Sequence, residues 1–198
     1  MSGCGCGEAS AALERRTLAA LLAINGAMFV GEAVAGWWAQ SAGLLADSLD
    51  MLADALVYGI ALYAVGRAAR WQAGAASASG VLQLALGAGV LVEVARRFVH
   101  GSEPLSFAMV AVGLVALAAN VWCLRLVSRH RDGGVHMRAS WIFSRNDVVA
   151  NAGVILSGVL VMVLGSPVPD LVIGAVISFI VMRGGVQILR EAHGARAA

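Results

Sequence analysis

Three aspartates stand close together in an otherwise apolar stretch of the sequence, LLADSLDMLADALVYG at residues 44–59. Asp47, Asp50 and Asp54 are spaced i, i+3 and i+7, which places them on one face of a helix. If that helix crosses a membrane, each carboxylate costs roughly 2.5 to 3.5 kcal/mol near the bilayer centre, so three of them need a compensating partner. Carboxylates in such a group are ligands for a divalent cation or a pair of catalytic acids.

A second apolar stretch, FSRNDVVANAGVILSGVL, carries Asp147 and Asn151 four residues apart and therefore on a common helical face. Two helices that each offer oxygen ligands predict a divalent cation between them, bound by Asp50, Asp54 and Asp147. Asn151 is either a fourth ligand or a hydrogen-bonding contact between helices. The competing interpretation is that each aspartate bonds to its own protein neighbour.

Other polar residues are candidates for accessory roles. Asp47 either lies at the solvated entrance of a cavity that leads to the predicted metal site or caps the helix. Glu32 either lines that cavity or makes a buried hydrogen bond. His136, in the segment RHRDGGVHMR, either relays metal ions or is simply solvated. Cys4 and Cys6 form a C-x-C pair that captures a soft metal transiently or belongs to a disordered tail, because two thiolates do not complete a tetrahedral site.

The composition indicates the setting of these residues. The chain has 198 residues of which 60% are hydrophobic, and its mean hydropathy of +0.81 is far too high for a water-soluble domain of this size. Long apolar runs rich in Ala, Leu and Gly predict an all-α polytopic membrane protein with six transmembrane helices. The predicted spans are 17–38, 42–66, 75–98, 105–126, 142–165 and 169–190.

The organisation follows from these spans. We expect a cytoplasmic N-terminal tail at 1–16, a six-helix domain at 17–190 and a short cytoplasmic tail at 191–198. The positive-inside rule places both termini in the cytoplasm and the chain in the cell (inner) membrane. Arg96 and Arg97 disagree with that orientation, because they fall at the outer end of the third helix. No phosphate-binding loop or nucleic-acid-binding pattern occurs, which disfavours an ATP-driven pump and a nucleic-acid partner.

The segment LLADSLDMLADAL resembles helix two of the cation diffusion facilitator family. In that family an Asp/His-x-x-x-Asp pair on helix two joins a His-x-x-x-Asp pair on helix five in one tetrahedral metal site. Asp50 and Asp54 match the first pair, Asp147 matches the last ligand, and the resemblance covers residues 17–190. It implies a secondary transporter that exports a divalent cation of the zinc, cobalt, cadmium, iron and manganese class, without a permanently bound cofactor.

Proton antiport is the expected coupling, because metal ions and protons compete for the same carboxylate oxygens. The resemblance further implies a homodimer in the lipid bilayer. Glycines in the third and sixth predicted helices would allow close helix approach, either between two copies or within one chain. The glycines in question are Gly80, Gly87, Gly89, Gly174, Gly184 and Gly185.

The sequence departs from the family pattern at Phe143, which stands where the first helix-five ligand is usually His. A phenyl ring cannot coordinate a metal, so Asn151, Asn146, Ser144 or water completes the shell, or three carboxylates suffice. Such a site has only oxygen donors, which suits harder ions. We also expect no C-terminal cytoplasmic domain of the kind that family members usually carry.

Two other functions compete with transport. Phe143 would equally mark a degenerate site in a non-transporting metal sensor or membrane subunit. An intramembrane aspartyl hydrolase would use Asp50 or Asp54 with Asp147. The i, i+4 spacing is typical of metal ligands and no substrate-binding motif flanks it, so we do not predict an enzyme.

Overall fold

The computed structural model describes the backbone of residues 4–39, 42–101 and 106–197. These residues form six α-helices and no strand, which confirms the predicted all-α class. The helices are α1 (Cys4–Ala39), α2 (Ala42–Ala64), α3 (Ala69–His100), α4 (Ser106–Ser128), α5 (Val135–Leu164) and α6 (Val168–Ala197).

Several helices extend beyond the predicted spans. The helix α1 begins at Cys4 and not near residue 17, α5 begins at Val135 and not near residue 142, and α6 continues to Ala197. The described part of the expected N-terminal tail is therefore helical. Hydropathy marks only the apolar part of a helix, whereas backbone hydrogen bonding continues into polar sequence.

The extended ends meet at one end of the bundle, which also contains the α2–α3 and α4–α5 connections and is called here the α4–α5 end. Arg15 of α1 donates a hydrogen bond of 2.7 Å to the carbonyl oxygen of Val65, just after α2. Thr17 Oγ1 lies 3.3 Å from Nδ1 of His130, which follows α4. These contacts join α1 to the ends of two other helices.

Four helices are long and apolar enough to cross a membrane, judged by length and composition over the described residues. They are Ala69–His100, Met109–Ser128, Val135–Leu164 and Val168–Arg196. Two further spans, α1 and α2, complete the predicted six, and α2 is the helix that carries the three aspartates. The six-span arrangement stays a prediction.

The most extensive helix pair is α3 with α6, followed by α1 with α2 and α4 with α5. Glycines allow the close approach of α3 and α6. A Cβ atom on Gly80 would lie 3.1 Å from the carbonyl oxygen of Gly185, and one on Gly185 would lie 3.0 Å from that of Gly80. Ser178 of α6 also donates a 2.7 Å hydrogen bond to the carbonyl oxygen of Gly87. Within this chain, these glycines serve helix packing.

At the opposite end of the bundle, Arg96 and Arg97 are neutralised by acidic neighbours. Arg96 and Arg97 bind the carboxylate of Glu93 at 2.6 and 2.9 Å. Arg97 also binds Asp170 of α6 at 3.1 Å, and Ser157 of α5 donates a hydrogen bond of 3.2 Å to the same carboxylate. The positive-inside rule counts Lys and Arg and not net charge, so these pairs do not remove the disagreement, and the orientation of the chain stays a prediction.

Candidate metal site

The candidate site begins with one buried face of α2. Asp54 is completely buried, Asp50 lies one turn earlier and is partly buried, and Tyr58 lies one turn later and is completely buried. Spacing of four residues aligns these three side chains on one side of the helix. The part of this face that the structure describes therefore points into the bundle.

The helix α5 supplies the opposite wall, and many of its polar residues are buried. Asp147 and Asn151 are 8% and 6% exposed, and Phe143 is 1% exposed. Ser144 is completely buried as well. A helix with so many buried polar groups needs partners for them inside the protein, because each unpaired group in an apolar interior costs free energy.

The two faces meet at the carboxyl groups of Asp54 and Asp147. These carboxyl groups are close enough to interact through a hydrogen bond, and Asp50 lies within electrostatic range of Asp147. A hydrogen bond between two carboxyl groups needs one of them to be protonated, whereas two deprotonated carboxylates this close need a cation between them. The pair thus has the composition of a site at which protons and a cation compete.

The three carboxylates are not equivalent in position. In the described part of the chain, no three His, Cys, Asp or Glu side chains converge closely enough to hold one ion. Asp54 and Asp147 make the contact, whereas Asp50 lies one helical turn away along α2. The three-carboxylate site predicted from the sequence stays a prediction, with a two-carboxylate contact at its centre.

Two residues that the sequence interpretation did not assign to the site lie beside it. The Tyr58 hydroxyl lies next to Ser144 and within electrostatic range of Asp54 and Asp147. Cys123 of α4 lies within electrostatic range of the same two carboxylates. The spacing of Tyr58 from Asp54 is the signal that could have identified it, whereas nothing in the local sequence marks Cys123.

Buried amide side chains occur on the helices α1, α4 and α5. Asn25 of α1 is completely buried and donates hydrogen bonds of 3.0 Å to the Leu21 carbonyl oxygen and 3.5 Å to Cys123 Sγ. Among the described residues, no partner is found for Asn25 Oδ1, for either side-chain polar atom of Asn120, or for Asn151 Nδ2. Buried amide groups of this kind can bind water or a hydrated cation.

Asn146, one of the residues proposed to complete the metal shell, lies at a different interface. Its side-chain nitrogen packs against Gly184 of α6, and Gln83 of α3 approaches the same glycine. Asn146 directly precedes Asp147, but consecutive residues on a helix point about 100° apart. Ser144 is therefore better placed than Asn146 to assist the carboxylate pair.

The remaining accessory candidates fall elsewhere. His136 lies at the start of α5, eleven residues before Asp147 in sequence and so about 16 Å away along the helix. The side chains of Cys4, Cys6, Glu32 and Asp47 lie outside the described part of the structure. Their proposed roles stay predictions.

Comparison with known proteins places this bundle in a family. The family model of the cation efflux transmembrane domain matches residues 18–194, and the chain belongs to that family. The match includes most or part of each of the six helices and both carboxylates of the contact pair. Together with the apolar helices, it identifies a multi-pass membrane protein of a transporter family and not of an enzyme class.

Curated relatives are distant but match over most of the chain. The cadmium, cobalt and zinc/H(+)-K(+) antiporter of Bacillus velezensis is 23% identical over 188 residues, which are 88% of this chain and 60% of the relative. The zinc transporter ZitB of Yersinia pseudotuberculosis is 24% identical over 184 residues, 85% of this chain and 58% of the relative. ZitB of Pectobacterium atrosepticum is 26% identical over 193 residues, 89% of this chain and 59% of the relative. The chain spans about 60% of the length of these relatives.

Proposed function

We propose that the protein exports a divalent transition-metal ion from the cytoplasm in exchange for protons. The observation that carries this proposal is the contact between Asp54 and Asp147 inside the helical bundle. Two acidic groups buried side by side are unfavourable unless a proton or a cation balances them. The names of the relatives, which include zinc transporters and an antiporter, support the same activity.

In the proposed mechanism, the ion replaces protons on the carboxyl pair. Deprotonated carboxylates bind a divalent cation, and protonation removes the negative charge that holds it. Asp50 supplies a third oxygen donor if α2 moves by a small amount, and Asn151 or water supplies the fourth. Helix motion that opens the pair to one side and then to the other would complete transport.

The class of ion follows from the donors. Phe143 is buried where the family usually has His, so the site lacks an imidazole on that turn of α5. Carboxylate and amide oxygens are hard donors, so this site should bind harder divalent ions such as manganese, iron or cobalt better than a site with mixed nitrogen and oxygen ligands, which suits zinc. We expect the site to bind zinc and cadmium as well, but less strongly than the harder ions.

Purified protein in proteoliposomes with a metal-sensitive dye inside tests the proposal. Asp54→Asn should abolish metal flux and the accompanying proton movement, because the amide keeps the shape and loses the charge. Asp132→Asn is the matched control, since Asp132 is an exposed loop residue at the α4–α5 end. Undiminished flux in Asp54→Asn would refute the proposed role of the pair.

One alternative has a specific observation in its favour. Phe143 would also be found in a membrane metal sensor or subunit whose transport site has degenerated. A sensor binds the ion without moving it, so calorimetry would show binding while the vesicle assay shows no flux. The carboxyl contact alone would also fit an aspartyl hydrolase, but the family match gives that activity no support.

A further inference from the structure

A carboxyl group and an imidazole ring are buried next to each other at the α4–α5 end, far from the Asp54–Asp147 pair. Glu14 of α1 is 5% exposed and His136 of α5 is 1% exposed. Glu14 Oε2 lies 3.7 Å from His136 Nε2. The two residues are distant in sequence, so the folded bundle and not the local pattern brings them together.

The distance of 3.7 Å is too long for a hydrogen bond. It does fit two ligands of one first-row metal ion, since bonds of about 2.0 to 2.1 Å to each atom would then enclose an angle of about 125–135°. A tetrahedral angle would need the two atoms only about 0.3 Å closer. Neither ring nitrogen of His136 makes a hydrogen bond to a described residue.

The α4–α5 connection leaves room around this pair because it contains two glycines. The Glu14 carboxylate packs directly against the Cα of Gly133, where any side chain would collide with it. Gly134 has φ +151°, and a Cβ atom there would lie 2.9 Å from Gln72 Oε1 and 3.1 Å from His136 Nδ1. The glycines thus let oxygen and nitrogen donors from α1, α3 and α5 approach one another.

Nearby arginines are engaged elsewhere and do not neutralise Glu14. Arg15 bonds to the carbonyl oxygen of Val65, and Arg138 binds Glu191 at 2.7 Å. Among the described residues, the ionisable groups close to Glu14 are His136 and His130. Burial raises the pKa of Glu14, and His130 partly offsets that effect. A buried carboxyl group beside an imidazole can gain its compensating charge from a cation.

We propose that Glu14 and His136 form a second binding site for a divalent transition-metal ion at the α4–α5 end. One carboxylate and one imidazole select borderline ions such as zinc, cobalt or nickel over magnesium and calcium. Gln72 Oε1 and water complete the shell, and His130, which is only partly buried and interacts electrostatically with Glu14, would meet an arriving ion first. Binding here is independent of transport, but its use as the loading point for the carboxylate pair rests on the proposed function.

The test uses full-length protein in which the other metal-binding groups are removed by Cys4→Ser, Cys6→Ser, Asp54→Asn and Asp147→Asn. Titration with cobalt chloride should give a visible absorption band from one bound Co²⁺ per chain, and Zn²⁺ should displace it. Adding Glu14→Gln or His136→Gln to this background should weaken Co²⁺ binding at least tenfold. Adding His193→Gln, which changes an exposed histidine on α6, should leave binding unchanged.

Either of two results would overturn the site: no Co²⁺ binding by the folded background protein, or equal binding after Glu14→Gln and His136→Gln. If both substitutions prevent folding, pulsed electron paramagnetic resonance of Cu²⁺ bound to the background protein decides. Imidazole nitrogen coupling is required, and its absence refutes the site. Because the background lacks the carboxylate pair, this result is separate from the flux measurement on the unmodified chain.

Discussion

Substituting Asp147 by Asn should have opposite effects on the metal-free and metal-bound protein. Asp147 is almost fully buried and contacts Asp54, so the substitution removes one of two adjacent acidic groups while keeping the side-chain shape. Two unit charges 4 Å apart repel by about 4 kcal/mol at an effective dielectric constant of 20, which is a ceiling because a shared proton relieves part of it. We expect the metal-free variant to be as stable as the unmodified chain or more stable.

The metal-bound comparison should show the reverse. An ion at about 100 times its dissociation constant stabilises a protein by about 2.7 kcal/mol if it binds only the folded state. Both proteins in this comparison carry Glu14→Gln, which removes the second proposed metal site. The protein with Asp147 should then gain this amount and Asp147→Asn should gain almost none, because the ion loses a charged ligand. Thermal unfolding in detergent, with a chelator or with Mn²⁺, Co²⁺ or Zn²⁺, measures both quantities.

Asp132→Asn controls for the loss of one negative charge, since Asp132 is exposed on the α4–α5 connection and should alter neither quantity. A full metal-dependent shift in Asp147→Asn would show that this carboxylate is not a ligand. A metal-free variant that is clearly less stable would show that Asp147 makes a structural hydrogen bond whose loss outweighs the relief of repulsion. Either result would refute the reasoning from the carboxyl contact.

Two other substitutions test the site and the packing separately. Phe143→His places an imidazole one turn before Asp147. In a Glu14→Gln background, which removes the second proposed site, it should tighten zinc binding at least about tenfold in calorimetry. Unchanged affinity would mean that this turn of α5 does not face the ion. Gly80→Ala should destabilise the bundle by about 1–3 kcal/mol in thermal unfolding, because its Cβ would lie 3.1 Å from the carbonyl oxygen of Gly185. Gly89→Ala is the matched control on the same helix, because nothing lies within 4 Å of its Cβ. If Gly89→Ala lowered the stability as much as Gly80→Ala does, the close approach of α3 and α6 at Gly80 would not be the cause.

The sequence predicts the helices well because a membrane requires long apolar segments. It predicts their ends less well, since polar residues such as Glu14 and Arg15 continue α1 beyond the apolar run. Those ends then acquire contacts that hydropathy cannot show. Glu14 meets His136 and Arg15 meets Val65 only after α1, α2 and α5 have packed together.

The candidate site shows the same division between local and tertiary information. Spacing alone identifies the inward face of α2 with Asp50 and Asp54, since period 3.6 is a local property. The rotation of α5 about its axis is set by packing, so sequence could not show that Asn146 faces Gly184 while Asp147 faces Asp54. Chain-distant neighbours such as Cys123 are likewise visible only in the fold.

The positions of the two contacting carboxylates in the helix pairs suggest how the proposed site could open. Asp54 belongs to α2, which packs mainly on α1, and Asp147 belongs to α5, which packs mainly on α4 and α6, while α2 and α5 contact each other much less. A shift of the α1–α2 pair against α4 and α5 changes the distance between the carboxyl groups, but it also disturbs a buried cluster in which Tyr58 of α2 packs with Cys123 of α4 and Met137 of α5. The glycine-tight contact between α3 and α6 lies outside this interface and can stay intact during such a movement. The movement that would exchange proton and metal therefore has to open the packing between these helices as well as the carboxyl contact.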